Sequence, residues 1–86
     1  MSIFSDHVIP GNHGKVFTTD AKKEEDLLRI KNRILSLEGV KDVLVNAAVF
    51  PAELTVHTVS LVTVEDVEKK AQLTGFHVIP KKMFEL

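Results

Sequence analysis

Leu27-Leu28-Arg29-Ile30-Lys31-Asn32-Arg33-Ile34-Leu35-Ser36-Leu37-Glu38-Gly39-Val40-Lys41-Asp42-Val43-Leu44-Val45-Asn46 holds two hydrophobic periods divided by one glycine. Before the glycine, Leu27, Ile30, Ile34 and Leu37 recur at helical spacing and share one face, with Leu28 widening the stripe. After it, Val43 and Val45 alternate with Asp42, Leu44 and Asn46, the period of a half-buried strand. Gly39 suits the left-handed position that stops a helix. The stretch therefore reads as a helix over residues 21–38 feeding a strand over residues 40–46. Asp20 is placed to cap that helix, and Glu24, Glu25 and Asp26 lie where carboxylates favour the positive end of the helix dipole.

Working outward, the turn Pro10-Gly11-Asn12-His13-Gly14 precedes Lys15-Val16-Phe17-Thr18-Thr19, a β-branched and aromatic run that predicts a first strand. Beyond Pro51, Leu54-Thr55-Val56-His57-Thr58-Val59 predicts a third strand in a hairpin with the second. Thr63 and Asp66 match a capping box in its aspartate form, and Val62 and Val67 are spaced as a hydrophobic staple. A second helix follows and closes at Gly75. Phe76 to Ile79 predicts the fourth strand, ended by Pro80. The order strand, helix, strand, strand, helix, strand predicts an α+β domain, a ferredoxin-like βαββαβ sandwich. Two helices cover one face of a four-stranded antiparallel sheet ordered fourth, first, third, second. Residues 15–80 form that domain, residues 1–14 an N-terminal extension suited to covering the open sheet face, and residues 81–86 a C-terminal tail.

An 86-residue chain has room for one hydrophobic core. A formal net charge of −1 argues against the electrostatic footprint of nucleic-acid binding. No stretch approaches the ~20 apolar residues of a membrane span, and the N-terminus lacks the pattern of a secretory signal, so a cytoplasmic location is the expectation. The absence of cysteine removes disulfides, thiolate zinc sites, iron–sulfur clusters and cysteine nucleophiles together. No serine has a recognisable nucleophile context, no glycine-rich phosphate loop exists, and no histidine is paired in sequence with a plausible acid; no enzyme activity is expected.

From about residue 15 to residue 80 the chain resembles the heavy-metal-associated domain family, the fold of small copper chaperones and of the N-terminal modules of metal-transporting ATPases. Ile30, Ile34 and Leu37 leading into Gly39-Val40, then Val43, Val45 and Asn46, then Val56, then Gly75-Phe76, carry the resemblance by their order and spacing. It implies a ferredoxin-like fold and a history in metal transport or homeostasis. In that family a methionine and the two cysteines of a C-x-x-C motif hold a soft ion such as Cu(I) between the first strand and the first helix. The corresponding positions here are Ala21, Lys23 and Asp26. An ammonium and a carboxylate in place of two thiolates remove the basis for soft-ion transfer, so the fold is expected without that chemistry.

Four histidines are left as candidate ligands, His7, His13, His57 and His77. No pair has the i, i+4 or H-x-H spacing of a metal site. His57 and His77 both alternate with core residues, which assigns both to the helix-free sheet face, two inter-strand steps of ~4.8 Å apart, with His7 or His13 as a third ligand. Such a site would take Zn(II), Ni(II) or Cu(II) and weaken as pH falls through the imidazole range. The same face is assigned Phe17, Leu44, Val59 and Ile79, more apolar surface than a solvated sheet carries. Its covering is expected to be the chain's own apolar ends, a second copy in a homodimer, or an unidentified protein. His-Val-Ile-Pro recurs at residues 7–10 and 77–80, an echo that would suit paired strand ends. Two functions from different classes follow: a non-enzymatic binding or interaction module that self-associates through the sheet face, and a histidine-based handler of a divalent metal.

Overall fold

The computed structural model describes residues 8–81. His7 and the apolar residues Ile3, Phe4, Met83, Phe84 and Leu86 lie outside the described residues. The elements run β1 (Val8–Ile9), β2 (Gly14–Thr19), α1 (Glu24–Leu35), β3 (Val40–Asn46), β4 (Ala52–Thr58), β5 (Val62–Thr63), α2 (Val64–Gln72) and β6 (Val78–Pro80). This is a mixed α+β chain with two helices and a four-stranded antiparallel sheet, hydrogen-bonded in the order β3-β4-β2-β6.

β4 organises the sheet. Ala52, Leu54, Val56 and Thr58 are buried while Glu53, Thr55 and His57 between them are half-buried, the alternation that a strand with one core face must show. Its register sets Leu54 opposite both Phe17 of β2 and Val45 of β3, and Val56 opposite Val43. These side chains join Leu27, Ile30 and Ile34 of α1 and Val64, Val67 and Ala71 of α2 in one core. The opposite face carries Asp42, Leu44 and Asn46, Glu53, Thr55 and His57, Gly14, Val16 and Thr18, and Ile79, in rows set by the same register.

Phe17 is therefore corrected. The sequence reading placed it on the open face with Leu44, Val59 and Ile79, whereas it is 0% exposed, opposite Leu54 in the core. Lys15 stands opposite Val56 on the core side, so the alternation along β2 runs one step out of phase with that reading, and Val16 takes the open face. Leu44, Val59 and Ile79 remain exposed at 52%, 54% and 62%.

The helix ends also differ from expectation. α1 occupies Glu24–Leu35 instead of residues 21–38, with Lys23 as its N-cap and no side-chain cap. Asp20 is not the cap, because its carboxylate accepts the backbone N–H of His77. After Ser36 the chain leaves through tight turns, Leu37 N–H to Ile34 O and Val40 N–H to Leu37 O. Gly39 holds a φ of +98° in the second of them, where a side chain is strained. In α2 the cap forms as its sequence predicts: the Thr63 hydroxyl accepts from Asp66 N–H at 3.1 Å, with Val62 and Val67 buried on either side.

The chain near the N-terminus holds an element that the sequence reading left unassigned. β1 pairs antiparallel with β5, Val8 opposite Thr63 and Ile9 opposite Val62, and Ile9 is 1% exposed in the core. Val8 and Ile9 thus brace the entry to α2. The repeated His-Val-Ile-Pro segments do not pair with each other, since Val8–Ile9 lies on β5 and Val78–Pro80 on β2. The fourth strand begins at Val78 instead of Phe76 and includes Pro80.

The two-sided sheet has a direct test in equilibrium urea denaturation. Phe17→Ala should lose about 3–5 kcal/mol, as large-to-small changes in a packed core do. Ile79→Ala should stay within about 0.5 kcal/mol of the parent, as surface changes do. Equal losses at the two positions would contradict the assignment of faces.

Candidate functional site

The loop from β2 to α1, residues 20–23, is where the resemblance would place a soft-metal site. Thr19, buried at the end of β2, donates its hydroxyl to the His77 carbonyl at 2.7 Å and accepts the Ala21 N–H at 3.3 Å. Asp20 accepts the His77 N–H at 3.0 Å. The Ala21 methyl is 1% exposed, so this position packs into the core. Lys23 is the exposed N-cap, and Asp26 pairs with Arg29 at 3.6 Å one turn along. Lys22 lies over the Phe50 ring, 5.5 Å from its centroid. Hydrogen bonds within the protein hold this loop, and the three positions offer a methyl, an ammonium and a carboxylate already opposite a guanidinium.

The histidines fall into different places. His57 lies on the sheet face opposite the helices, and His77, just before β6, lies at the other end of the sheet. His57 stands opposite Gly14, and His77 lies just before Val78, which stands opposite Thr19. That offset of about six residues along β2 amounts to about 20 Å. This displacement adds to the two inter-strand steps, and the structure does not bring the pair together. His77 borders a mostly apolar cleft of about 420 Å³ with Phe50, Pro51 and Ile79. The Phe50–Pro51 peptide bond in its wall is cis.

At the other end His13 and His57 line one cleft of about 380 Å³, together with Asn12, Lys41, Asp42, Leu44 and Thr58. The buried Thr58 builds it. Its hydroxyl donates to the Pro10 carbonyl, its backbone N–H donates to the His13 carbonyl at 2.9 Å, and its carbonyl accepts the Asn12 N–H at 2.9 Å. Asn12 takes a φ of +63° to complete the turn, a conformation Asn tolerates better than most side chains. Gly11 lets the turn approach, because a Cβ there would stand 3.0 Å from the Val59 carbonyl oxygen. Gly14 is needed for a different reason: a Cβ there would stand 3.0 Å from both Cε1 and Nδ1 of His57, so the imidazole lies over bare backbone.

Two further details shape this end. The His13 Nδ1–H donates to the Gly11 carbonyl at 3.1 Å, which leaves Nε2 with its lone pair. On β3, Val40 pairs with Thr58 and Asp42 with His57, so Lys41 is an extra residue, a β-bulge. The bulge turns Asp42 onto the face of His57, and both Lys41 and Asp42 border the cleft. Among the described residues no three His, Asp or Glu side chains are grouped to hold a metal ion, which removes the three-ligand set of His57, His77 and His13. No helix among them is long and apolar enough to cross a membrane.

Sequence reasoning missed Thr58 and Gly14 as builders of this cleft. Nothing in the residue pattern marks Thr58 apart from its alternation with Val56, and Gly14 reads as one more turn glycine. The signal existed only as a pairing, since Gly14 opposite His57 is a matter of register. No protein-family model matches this chain, and no curated protein matches it.

Thr58→Val keeps the shape and deletes the hydroxyl, leaving the Pro10 carbonyl without its donor. The expected cost is about 1–3 kcal/mol, that of a buried polar group left unpaired. Native-state hydrogen exchange should show faster exchange at Asn12 N–H, with the amides of α2 slowed or quickened only by the global change in stability. Protection unchanged at Asn12 would show that the turn does not depend on the hydroxyl.

Proposed function

We propose that this chain is a non-enzymatic interaction module with a degenerate heavy-metal-associated-like, ferredoxin-like fold, cytoplasmic, that meets a second copy of itself through the sheet face opposite the helices. The observation that carries the reading is the apolar surface on that face. Leu44 and Ile79 are 52% and 62% exposed on strands of one sheet, and Val59 is 54% exposed just beyond β4. Fully burying a side chain of this size stabilises an association by about 1.5–3 kcal/mol before the cost of ordering, so a few of them can hold a modest dimer.

The strand order, with α1 between β2 and β3 and α2 between β4 and β6, supports the ferredoxin-like reading. The β2–α1 loop supports the loss of soft-metal transfer. Its residues are tied to His77 by Thr19 and Asp20 and supply no thiolate, so a Cu(I) ion would find no soft ligand there. The ion pair of Lys81 with Glu53, at 2.6 Å, adds a polar contact on the same face, between the edge-strand residues Leu44 and Ile79.

Sedimentation equilibrium of the whole chain over a range of concentrations tests the reading. A reversible monomer–dimer equilibrium is expected, and Leu44→Lys with Ile79→Lys should weaken it by about tenfold or more, the equivalent of one lost apolar contact per 1.4 kcal/mol. A parent that stays monomeric at high concentration, or a dimer indifferent to both substitutions, would overturn it.

A further inference from the structure

We infer that His13 and His57 form a two-imidazole site for a borderline divalent transition-metal ion of the Cu(II), Zn(II) or Ni(II) class at the Gly14 end of the sheet. This does not depend on the sheet face meeting a second copy. The site is built from four features that the fold brings together. The first is co-location: both residues border the same cleft, although 44 positions separate them in sequence. The turn that carries His13 is pinned to the end of β4 by hydrogen bonds to Thr58, next to His57.

The second feature is the tautomer of His13. Its Nδ1–H is engaged by the Gly11 carbonyl, so the lone pair sits on Nε2. A backbone carbonyl on the far nitrogen is the arrangement that orients a metal-ligating histidine and raises its basicity. The third is His57 itself. It is half-buried over Gly14, where no side chain occupies the space, and its ring makes no hydrogen bond among the described residues. With no hydrogen-bond partner among the described residues, its ring nitrogens are not buried and stand open to a ligand from solvent. The fourth is Asp42, turned toward the same cleft by the bulge at Lys41, which adds a negative charge near the cation. Its Oδ1 accepts the Val43 N–H at 2.8 Å, so it borders the site and is not counted as a ligand.

Two imidazole nitrogens suit ions of borderline softness, and Cu(II) should bind tightest among the first-row divalent ions. Two protein ligands leave the remaining coordination positions to water. His77 plays no part, being at the other end of β2.

Isothermal titration of the whole chain with Cu(II) in a weakly coordinating buffer, repeated with Zn(II), tests the site. The expected result is one equivalent bound, with His13→Ala and His57→Ala each weakening affinity by about tenfold or more and His77→Ala changing it by less than about twofold. Circular dichroism melts establish that each variant is folded, and His57→Gln, which keeps a planar polar side chain, replaces the alanine variant should that one unfold. Electron paramagnetic resonance of the Cu(II) complex should show nitrogen couplings that diminish in His13→Ala. Absence of binding, binding unchanged on loss of His13 or of His57, or an equal loss in His77→Ala would each overturn the proposal.

Discussion

The pairing of β4 with β2 on one side and β3 on the other is the constraint on which the rest depends. Strand side chains alternate, so a single register decides the orientation of every residue in three strands at once. Leu54 opposite Phe17 and Val45 sends those three to the helices, and the neighbouring rows, Glu53 with Thr18 and Asn46 and Thr55 with Val16 and Leu44, to the other side. A slip of one residue in β2 would bring Phe17 into solvent and Val16 into the core. The burial of Phe17 at 0% exposure reflects how strongly the core selects against that slip.

The ends of the sheet are closed by polar contacts of different kinds, and each end acquires its character from them. At one end Thr19 and Asp20 bind the backbone of His77 and tie the β2–α1 loop to the start of β6. At the other end Thr58 binds the backbone from Pro10 to His13. Among the described residues Thr19 and Thr58 are the buried polar ones, and both have hydrogen-bond partners, as burial requires. The first contact makes a loop whose positions are committed to structure. The second makes a cleft with two histidines and room around them.

Much of the fold was legible because its signals are local. The aliphatic spacing of Leu27, Ile30 and Ile34, the cap of Thr63 on Asp66 and the alternation in β3 each act over a few residues, and each appears in the structure. The misreadings share the opposite property. Asp20 looked like a helix cap until a competing donor, the His77 N–H, arrived from 57 positions away. Phe17 was given the wrong face because the phase of β2 is set by β4, not by β2's own residues. Val8 and Ile9 make too short a run to read as a strand alone, and become one by pairing with Val62 and Thr63.

The candidate site divides along the same line. By itself the sequence determined the chemical inventory: no cysteine, four histidines, and an alanine, a lysine and an aspartate where the resemblance would place soft ligands. Those statements concern which atoms exist and need no coordinates. Only the tertiary structure decided which histidines are neighbours, separating His57 from His77 along β2 and joining it to His13 through the turn held by Thr58. The physical reason is that distance along a sheet depends on register and on long-range hydrogen bonds, whereas periodicity in sequence reports only the side of a strand on which a residue stands.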